Sequence, residues 1–525
     1  MSDCEFDTLR DFLLREENYP EGGPVEFKET HISCVFLTPQ FAYKLLKPIN
    51  FGFLDFSTKE ARRRECANEL DLNRRLASDV YLDVVPIFEN EGSLTFLDDG
   101  EPVDWLIKMR RLDESQTLEA KILSRSANEE DIDLLLDVLI PFLQNAETND
   151  DIAKNGDVAV IRKNVSENFG VLESAARNGL VNSAFIESHK SSQLQFLAFH
   201  SSLLEQRIEA NRVRHVHGDL RAEHIYFDKK YFDKRPAIID CIAFNERFRC
   251  NDILDEICFL AADLEKLRRE DLAEYLINSF RERMPDDAPE ELVGFFKAYR
   301  HTVRAKVDCL RMRSASEDEI IRLRENVARH LEDARCLLDK FHHPLLVVFF
   351  GKSGTGKSTV ARGLSDEIGA KIVSSDVVRK NIFGLKSTER GKPDTVYTRK
   401  ANEKTYGRMC ELAANALSNK TTVIFDATFQ RAADRRHAID IGKISGVKIL
   451  FVECRCADGT LRSRIEKRKK RNTDVSDAGV DVYQKQSLTF EPADEISENI
   501  LLVLDTTKET QILLEQIIGK LCVLY

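Results

Sequence analysis

The amino-acid sequence predicts two domains, an N-terminal α+β domain and a C-terminal α/β domain built on a parallel sheet. The chain has 525 residues, which is more than one ordinary domain contains. Strand-like runs crowd about the first 110 residues, and helical patterns dominate from there to about residue 340. Beyond that point apolar strand-like runs alternate with helical patterns, which is typical of a parallel sheet covered by helices on both faces.

The N-terminal domain is predicted to span residues 1–338, with a small sheet-rich lobe at about 20–111 and a helical lobe at about 112–338. The strand-like runs of the small lobe lie at 25–29, 32–37, 41–47, 84–88 and 105–111, and a long helical pattern at about 58–77 interrupts them. Two short strand-like runs interrupt the helical lobe, near 224–227 and 237–240. A charged helical pattern at 317–340 precedes the boundary, which we place near 335–343.

The C-terminal domain, residues 339–525, contains the strongest motif of the chain. Its strand-like runs lie at 345–350, 371–373, 421–425, 448–452 and 500–504. The first run, LLVVFF, is followed by GKSGTGKS at 351–358 and then by a helical pattern, which is the context that a phosphate-binding P-loop requires. Its glycines let backbone N–H groups face the phosphates, and the helix N-terminus adds partial positive charge. The residues predicted to bind the nucleotide here are Gly351, Ser353, Gly354, Thr355, Gly356, Lys357, Ser358 and Thr359.

Two residues of this loop are predicted to take part in phosphate transfer, and three residues elsewhere in the domain are predicted to act with them. We expect Lys357 to contact the β- and γ-phosphates and Ser358 to bind Mg²⁺. Asp426 ends the run TTVIFDAT and is a second expected metal ligand, with a helix cap as the alternative. In VSSDVVRKNIFG, Asp376 is a candidate to accept a proton from an acceptor hydroxyl, and Arg379 to hold the acceptor or the phosphate. The alternative for this segment is a capped helix with a surface arginine.

A basic helical pattern, LRSRIEKRKKRN, follows the fourth strand-like run at 461–472. A lid that covers the phosphates would fall at this place in a P-loop fold. Arg464, Arg468 and Arg471 recur at helical spacing and could reach the nucleotide. A solvated charged face and a nucleic-acid contact are the alternatives.

These C-terminal motifs resemble those of the P-loop kinases that act on small acceptors. That group includes gluconate and adenylylsulfate kinases, zeta-type toxins and the 5′-hydroxyl polynucleotide kinases. The resemblance is carried by GKSGTGKS, SSDVVRK, VIFDAT and the basic helix ahead of Phe490-Glu491-Pro492, and it covers about residues 344–525. It implies a phosphotransferase that uses ATP and Mg²⁺, and it does not name the acceptor.

The N-terminal domain contains HVHGDLRAEHIYF and, further on, AIIDCIAF. These runs resemble the aminoglycoside phosphotransferase and choline kinase family, which has the protein-kinase fold. The resemblance implies that Asp219 is the catalytic carboxylate and Asp240 a metal ligand. His224 stands where the family has a metal-binding Asn. Imidazole suits Mn²⁺ or Zn²⁺ better than Mg²⁺, so His224 could bind a different metal, bind none, or serve the acceptor.

Upstream, the same resemblance predicts a phosphate-contacting lysine and its carboxylate partner. Lys44, in FAYKLLKP, matches the lysine, and Glu69 is the expected partner, with Glu65 as the alternative. Lys108 and Met109 fall where a hinge would contact adenine. Taken over nearly the full chain, the layout resembles the bacterial bifunctional aminoglycoside phosphotransferase/ATP-binding proteins. FGFLDFST, LNRRLASDVYL and the acidic run CIAFNERFRCNDILDEICFLAADLE fit that family.

Composition narrows the classes of function. The formal net charge of −12 gives no general attraction for nucleic acid, and no apolar run approaches the roughly 20 residues that span a bilayer. The N-terminus lacks a signal-like apolar core, and the 12 cysteines include no CxxC pair, so we expect a cytoplasmic protein with reduced thiols.

The sequence therefore predicts an enzyme that transfers the γ-phosphate of ATP to a hydroxyl of a small molecule. The first alternative is a kinase that acts on hydroxyls of RNA or DNA. The second is a nucleotide-dependent regulator with an inactive N-terminal lobe. Neither the acceptor nor the oligomeric state follows from the sequence.

Overall fold

The computed structural model describes most of the chain in two compact units. The described residues are 3–30, 32–50, 55–90, 92–97, 100–181, 183–228, 230–232, 235–313, 315–386, 393–461, 463–464 and 488–524. The first unit comprises Met1–Val160 and Leu204–Arg300, and the second comprises Ile161–Leu203 and His301–Tyr525. No helix in the described part of the chain has the length and apolar character needed to cross a bilayer.

The helices are numbered in chain order. They are α1 Asp3–Leu13, α2 Lys59–Ala77, α3 Leu118–Leu123, α4 Glu129–Asn145, α5 Asp150–Ala153, α6 Val158–Arg177, α7 Ser183–Phe199, α8 Ser201–Glu209, α9 Ile253–Lys266, α10 Glu270–Arg283, α11 Glu290–Arg311, α12 Glu317–Leu338, α13 Lys357–Ile368, α14 Ser375–Ile382, α15 Pro393–Val396, α16 Arg399–Ser418, α17 Ala432–Ile444 and α18 Thr510–Leu524.

The strands are numbered in the same way. They are β1 Glu26–Glu29, β2 Ser33–Leu37, β3 Phe41–Leu46, β4 Tyr81–Asn90, β5 Ser93–Thr95, β6 Glu101–Arg110, β7 Val213–His215, β8 Ile225–Tyr226, β9 Ala237–Ile238, β10 Cys250–Asp252, β11 Leu345–Phe350, β12 Lys371–Ser374, β13 Val423–Asp426, β14 Lys448–Arg455 and β15 Leu501–Asp505.

The first unit contains a six-stranded antiparallel sheet with the order β1-β2-β3-β6-β4-β5. Helix α2 packs against β4 and β6, and the Thr58 side chain caps its N-terminus. The Arg62 guanidinium, buried in α2, bonds Asp104 of β6 at 2.9 Å and thereby ties the helix to the sheet. The predicted strands of the small lobe are all present, and β5 is the addition. This sheet with one packed helix is compatible with a protein-kinase-like small lobe, which stays a prediction.

The acidic run at 252–263 has structural roles in the helical part of this unit. Asp252 caps α9 and forms an ion pair with buried Arg207 at 2.6 Å. Asp255 pairs with Arg300 at 2.7 Å, and Asp263 accepts a hydrogen bond from the Ala222 N–H. These carboxylates hold helices and loops together.

The second unit contains a five-stranded parallel sheet with the order β12-β13-β11-β14-β15. Every residue of β11 is buried, which fits a central strand covered on both faces. One apolar core lies between the sheet and helices α13 and α18, and the other involves α14, α16 and α17. The predicted α/β fold of this part of the chain is confirmed, with each strand within two residues of its expected start.

Helix α7 belongs to this second unit, although the sequence places it in the helical lobe. Ala198 lies in the core cluster of the P-loop unit, and the side chain of Gln195 bonds the Thr422 hydroxyl. That hydroxyl also accepts a hydrogen bond from the N–H of Leu345, the first residue of β11, at 2.9 Å. The compact division therefore differs from the single boundary at 338/339, because buried polar and apolar groups of α7 complete this unit.

Candidate functional site

The P-loop has the backbone that its glycines predict. Gly351, Gly354 and Gly356 have φ values of 133°, 87° and 92°, which residues with a Cβ rarely adopt. A Cβ on Gly351 would lie 2.6 Å from the carbonyl oxygen of Cys454, so the loop passes against β14 where only glycine fits. Helix α13 begins at Lys357 after the Gly356 N-cap, which has no side-chain cap. Its first N–H groups thus suit an anion such as a phosphate.

Lys357 lies inside this loop and is buried. Its Nζ atom donates hydrogen bonds to the carbonyl oxygens of Gly351 at 2.9 Å and Lys352 at 2.8 Å. Ser358 and Thr359 are exposed on the first turn of α13. The lysine ammonium is therefore held by two carbonyl groups of the loop itself.

Asp426 and Asp376 lie at the same edge of the sheet as the P-loop. Asp426 ends β13 and is paired in register with Phe349 of β11 on one side and with Ser374 of β12 on the other. Asp426 is buried, and Asp376 lies half-buried in the first turn of α14, directly after β12. Because parallel strands end at one edge, the structure brings together the loop and the two carboxylates that the sequence singles out.

Arg379 is buried, so it is not the surface arginine of the alternative interpretation. Its Nη1 atom donates to the carbonyl oxygen of Val396 at 2.9 Å and to Oδ1 of Asn402 at 2.7 Å. Its guanidinium carbon lies 4.8 Å from the centre of the Tyr397 ring. The arginine therefore links α14 to α15 and α16, beside the edge where the acceptor is expected.

Arg464 contacts the P-loop and the segment after β15. Its Nη2 atom donates to the Thr506 carbonyl oxygen at 2.7 Å, and Nη1 lies 3.4 Å from the carbonyl oxygen of Thr355. The Thr506 hydroxyl also donates to the Thr355 carbonyl. Arg468 and Arg471 lie outside the described residues. Sequence reasoning missed Thr506, although DTT at 505–507 follows a strand that ends at this same edge.

The residues predicted in the first unit also come together. The ammonium of Lys44, on β3, forms an ion pair with Glu69 of α2 at 2.7 Å, so Glu69 is its partner rather than Glu65. Burial alone would lower the pKa of Lys44, but the charges of Glu69 and Asp240 outweigh it and raise that pKa. Lys108 lies near the end of β6, with its ammonium 4.0 Å from the centre of the Phe41 ring, and its expected place at a hinge stays a prediction.

Asp219, His224 and Asp240 form a cluster of metal-ligand types. The Nδ1 atom of His224 lies 3.7 Å from an Asp219 carboxylate oxygen, and its Nε2 atom lies 3.6 Å from one of Asp240. One ligand atom from each residue lies within 4.8 Å of the others. Desolvation would raise the pKa of Asp240, but the nearby charges of Lys44 and His224 lower it. The cluster thus has two carboxylates and an imidazole directed at one place.

The loop that holds Asp219 rests on buried groups. His217 lies 2.9 Å, by its Nε2 atom, from the Ile239 carbonyl oxygen, and burial lowers its pKa to about 4. The Gly218 N–H donates to the carboxylate of Glu256, which is fully buried. Burial raises the pKa of Glu256 to about 7, against the opposing effects of Arg300 and of that N–H.

These features define a protein with a C-terminal P-loop domain. A family described as "AAA domain" matches residues 346–493. The chain is 32% identical over 459 residues to "Uncharacterized protein Rv2004c" of Mycobacterium tuberculosis and equally to "Uncharacterized protein Mb2027c" of Mycobacterium bovis, covering 86% of this chain and 88% of each relative. The protein belongs to the family of these mycobacterial proteins. The aminoglycoside phosphotransferase resemblance of the first unit stays a prediction.

Solved kinase structures are similar, over nearly their whole length, to about a third of this chain. A gluconokinase from Sinorhizobium meliloti 1021 has 17% identity and a TM-score of 0.26, over 35% of this chain and 94% of that chain. The APS kinase CysC of Mycobacterium tuberculosis, in complex with AMPPNP and APS, has 16% identity and a TM-score of 0.27, over 34% and 98%. The names of those enzymes state what those enzymes act on, and they do not name an acceptor for this protein.

Proposed function

We propose that the second unit transfers the γ-phosphoryl group of ATP to a hydroxyl of a small molecule. The observation that carries this proposal is the meeting of the P-loop, Asp376 and Asp426 at one edge of the parallel sheet. A phosphate site and two carboxylates are what a P-loop kinase needs, because phosphoryl transfer depends on positioning and on neutralising charge.

Each residue has a distinct task in this reaction. The N–H groups of the loop and of the α13 N-terminus bind the phosphates, and Lys357 exchanges its two carbonyl partners for the γ-phosphate. The carboxylate of Asp376 takes the proton of the acceptor hydroxyl while the hydroxyl oxygen forms a bond to the γ-phosphorus. The bond between the γ-phosphorus and the oxygen that bridges it to the β-phosphate breaks, and ADP leaves. Arg379 and Arg464 add positive charge on the acceptor and nucleotide sides.

The residues present fit a magnesium ion. The buried Asp426 carboxylate and the exposed Ser358 hydroxyl are both oxygen ligands, which Mg²⁺ prefers. They would hold the ion, which neutralises phosphate charge when it is bound. The acidic chain, at net charge −12, favours a small acceptor over RNA or DNA.

The test is transfer of label from γ-labelled ATP into pools of cell metabolites and RNA. Lys357→Ala should lower turnover by on the order of 10³, in the range expected for losing a main γ-phosphate contact. Lys404→Ala, on the exposed side of α16, is the matched control and should match wild type. Turnover of Lys357→Ala within about twofold of wild type would refute the P-loop mechanism. Label in RNA alone would mean that the acceptor is RNA and not a small molecule. Binding of ATP without transfer of its phosphate would favour the nucleotide-dependent regulator.

A second phosphate site in the first unit is favoured by one observation, the ion pair of Lys44 and Glu69 together with the Asp219, His224 and Asp240 cluster. We propose that this unit binds a nucleotide with a divalent metal, Mn²⁺ in preference to Mg²⁺, and that Asp219 orients the acceptor there. Label transfer that survives Lys357→Ala and is lost in Asp219→Ala would support this site. Transfer unchanged by Asp219→Ala would leave the first unit without a catalytic role.

A further inference from the structure

One charged side chain of the second unit is completely buried and has no part in the chemistry described so far. Arg435, on α17, is 0% exposed. Its guanidinium bonds the carboxylate of Glu495, the carbonyl oxygen of Pro492 at 2.5 Å and the carbonyl oxygen of Phe429 at 2.8 Å. Its guanidinium carbon lies 5.7 Å from the centre of the ring of Phe350, the residue before the P-loop. A buried arginine with this many partners fixes the geometry of several segments at once.

The Phe429 carbonyl belongs to a strained turn. Phe429 has a φ of 41°, which is uncommon for any residue other than glycine and persists only where the surroundings enforce it. Arg435 holds the carbonyl of this residue, and the Tyr406 hydroxyl accepts its N–H at 3.2 Å. The turn is therefore held from α17 on one side and from α16 on the other.

The same turn connects to the catalytic edge of the sheet. Residues 427–429 follow Asp426 directly, and the carbonyl oxygen of Thr428 accepts a hydrogen bond at 3.2 Å from the N–H of Gly351, the first glycine of the P-loop. The Thr428 hydroxyl lies 3.4 Å from the hydroxyl of Tyr406. A displacement of Phe429 would therefore move the residues that lie between the P-loop and the acceptor side.

The segment at 489–495 is hydrogen-bonded to the residues after this turn and to the same arginine. The N–H of Glu491 donates to the Gln430 carbonyl oxygen at 3.0 Å, and its carboxylate accepts the Ala432 N–H at 2.6 Å. Glu495, half of the buried ion pair with Arg435, ends this segment. Hence Arg435 is the point where the late segment, the turn and α17 meet.

We infer that Arg435, paired with Glu495, is a positioning residue for the proposed phosphoryl transfer. It holds the turn 427–429 and thereby keeps Asp426 and the acceptor side in place relative to the P-loop. This inference rests on the proposed function. Arg435 reaches no phosphate-binding group of the loop, so its loss should change the reaction geometry and leave nucleotide affinity nearly intact.

The experiment compares Arg435→Lys with Arg436→Lys, an exposed neighbour on the same helix. A lysine keeps the charge but cannot bond three partners in one plane. We expect Arg435→Lys to lower kcat about 10- to 100-fold, the cost of a small misplacement of reacting groups, with KM for ATP within about twofold. Arg436→Lys should match wild type. Equal behaviour of the two variants would overturn the inference.

Two further measurements separate positioning from stability and from the proposed function itself. In Arg435→Met/Glu495→Leu the buried charges are removed together, so stability should be kept while kcat stays low. Recovery of kcat in that variant would mean that Arg435 is only structural. If wild type turns over no ATP, the proposed function fails. The positioning of the turn is then decided by amide hydrogen exchange, in which Arg435→Lys should speed exchange at the N–H groups of Gly351 and Phe429, whose hydrogen bonds involve this turn. Equal exchange in Arg435→Lys and Arg436→Lys would refute the inference.

Discussion

Helix α7 is expected to be part of the P-loop unit, and one pair of glycine substitutions tests this. Gly369 ends α13 with a φ of 60°, and an added Cβ would lie 2.8 Å from Cα of Ser191, in the backbone of α7. Gly446 follows α17 with a φ of 65°, and an added Cβ there meets no described atom within 4 Å. The two positions thus share the same backbone conformation and differ in whether another helix lies against them.

The magnitudes follow from that difference. An alanine in the left-handed conformation costs about 1–2 kcal/mol, and both variants incur this cost. Gly369→Ala also overpacks a site bounded by backbone, which adds about 1–3 kcal/mol. We therefore expect Gly446→Ala to lose about 1–2 kcal/mol of unfolding free energy and Gly369→Ala about 2–5 kcal/mol, measured by urea denaturation.

Amide hydrogen exchange gives a second, local readout of the same substitutions. Gly369→Ala should speed exchange in α7, residues 183–199, because the clash displaces that helix from α13. Gly446→Ala should leave α7 unchanged. Equal losses of stability, together with unchanged exchange in α7, would refute the packing of α7 against the P-loop unit.

Three other perturbations have expected outcomes. Glu256, with its pKa raised to about 7 by burial, keeps a proton in the folded protein that the unfolded chain releases. The protonated Glu256 therefore contributes to the free energy of unfolding fully below about pH 4.5, and this contribution, up to about 3 kcal/mol, is lost as the pH rises to about 7. Urea denaturation at a series of pH values should show this loss in wild type and not in Glu256→Gln. Arg62→Met should cost about 3–5 kcal/mol, because Asp104 is left buried without its partner, and Arg62→Met/Asp104→Leu should regain much of that; a double variant as unstable as the single one would contradict this. In an Asp426→Ala background, calorimetry should find Mn²⁺ bound more tightly than Mg²⁺ and His224→Asn should reverse the order, whereas an unchanged order would remove His224 from the metal site.

The sequence predicted the backbone of the P-loop well because that loop is local in the chain. The loop, its glycines and Lys357 lie within eight consecutive residues, between a strand and a helix that both have clear patterns. Asp426 and Asp376 could be predicted for a related reason. Each follows a strand-like run, and parallel strands bring their ends together without any knowledge of side-chain packing.

The groups that the sequence did not reveal are those whose roles depend on distant partners. Arg435 lies in a run of charged residues, RAADRRHAID, that is typical of a solvated helix face. Its burial depends on Glu495 and on the Pro492 carbonyl, about 60 residues later. Thr506 similarly acquires its contact to the P-loop only when β15 reaches the edge of the sheet.

The division of the chain was missed because α7 is polar where it is buried. Ser188, Ser191 and Gln195 are among its buried residues, and such residues in a helix ordinarily indicate solvent exposure. In the structure Ser188 donates a hydrogen bond to the Lys420 carbonyl oxygen and Gln195 bonds the Thr422 hydroxyl, just before β13. A helix that satisfies the backbone and hydroxyls of another segment can be buried without being apolar, so its hydrophobic pattern does not reveal which unit it completes. A P-loop fragment cut at residue 339 would accordingly lose those partners together with the packing of Ala198, and we expect it to be less stable than a fragment that retains residues 161–203.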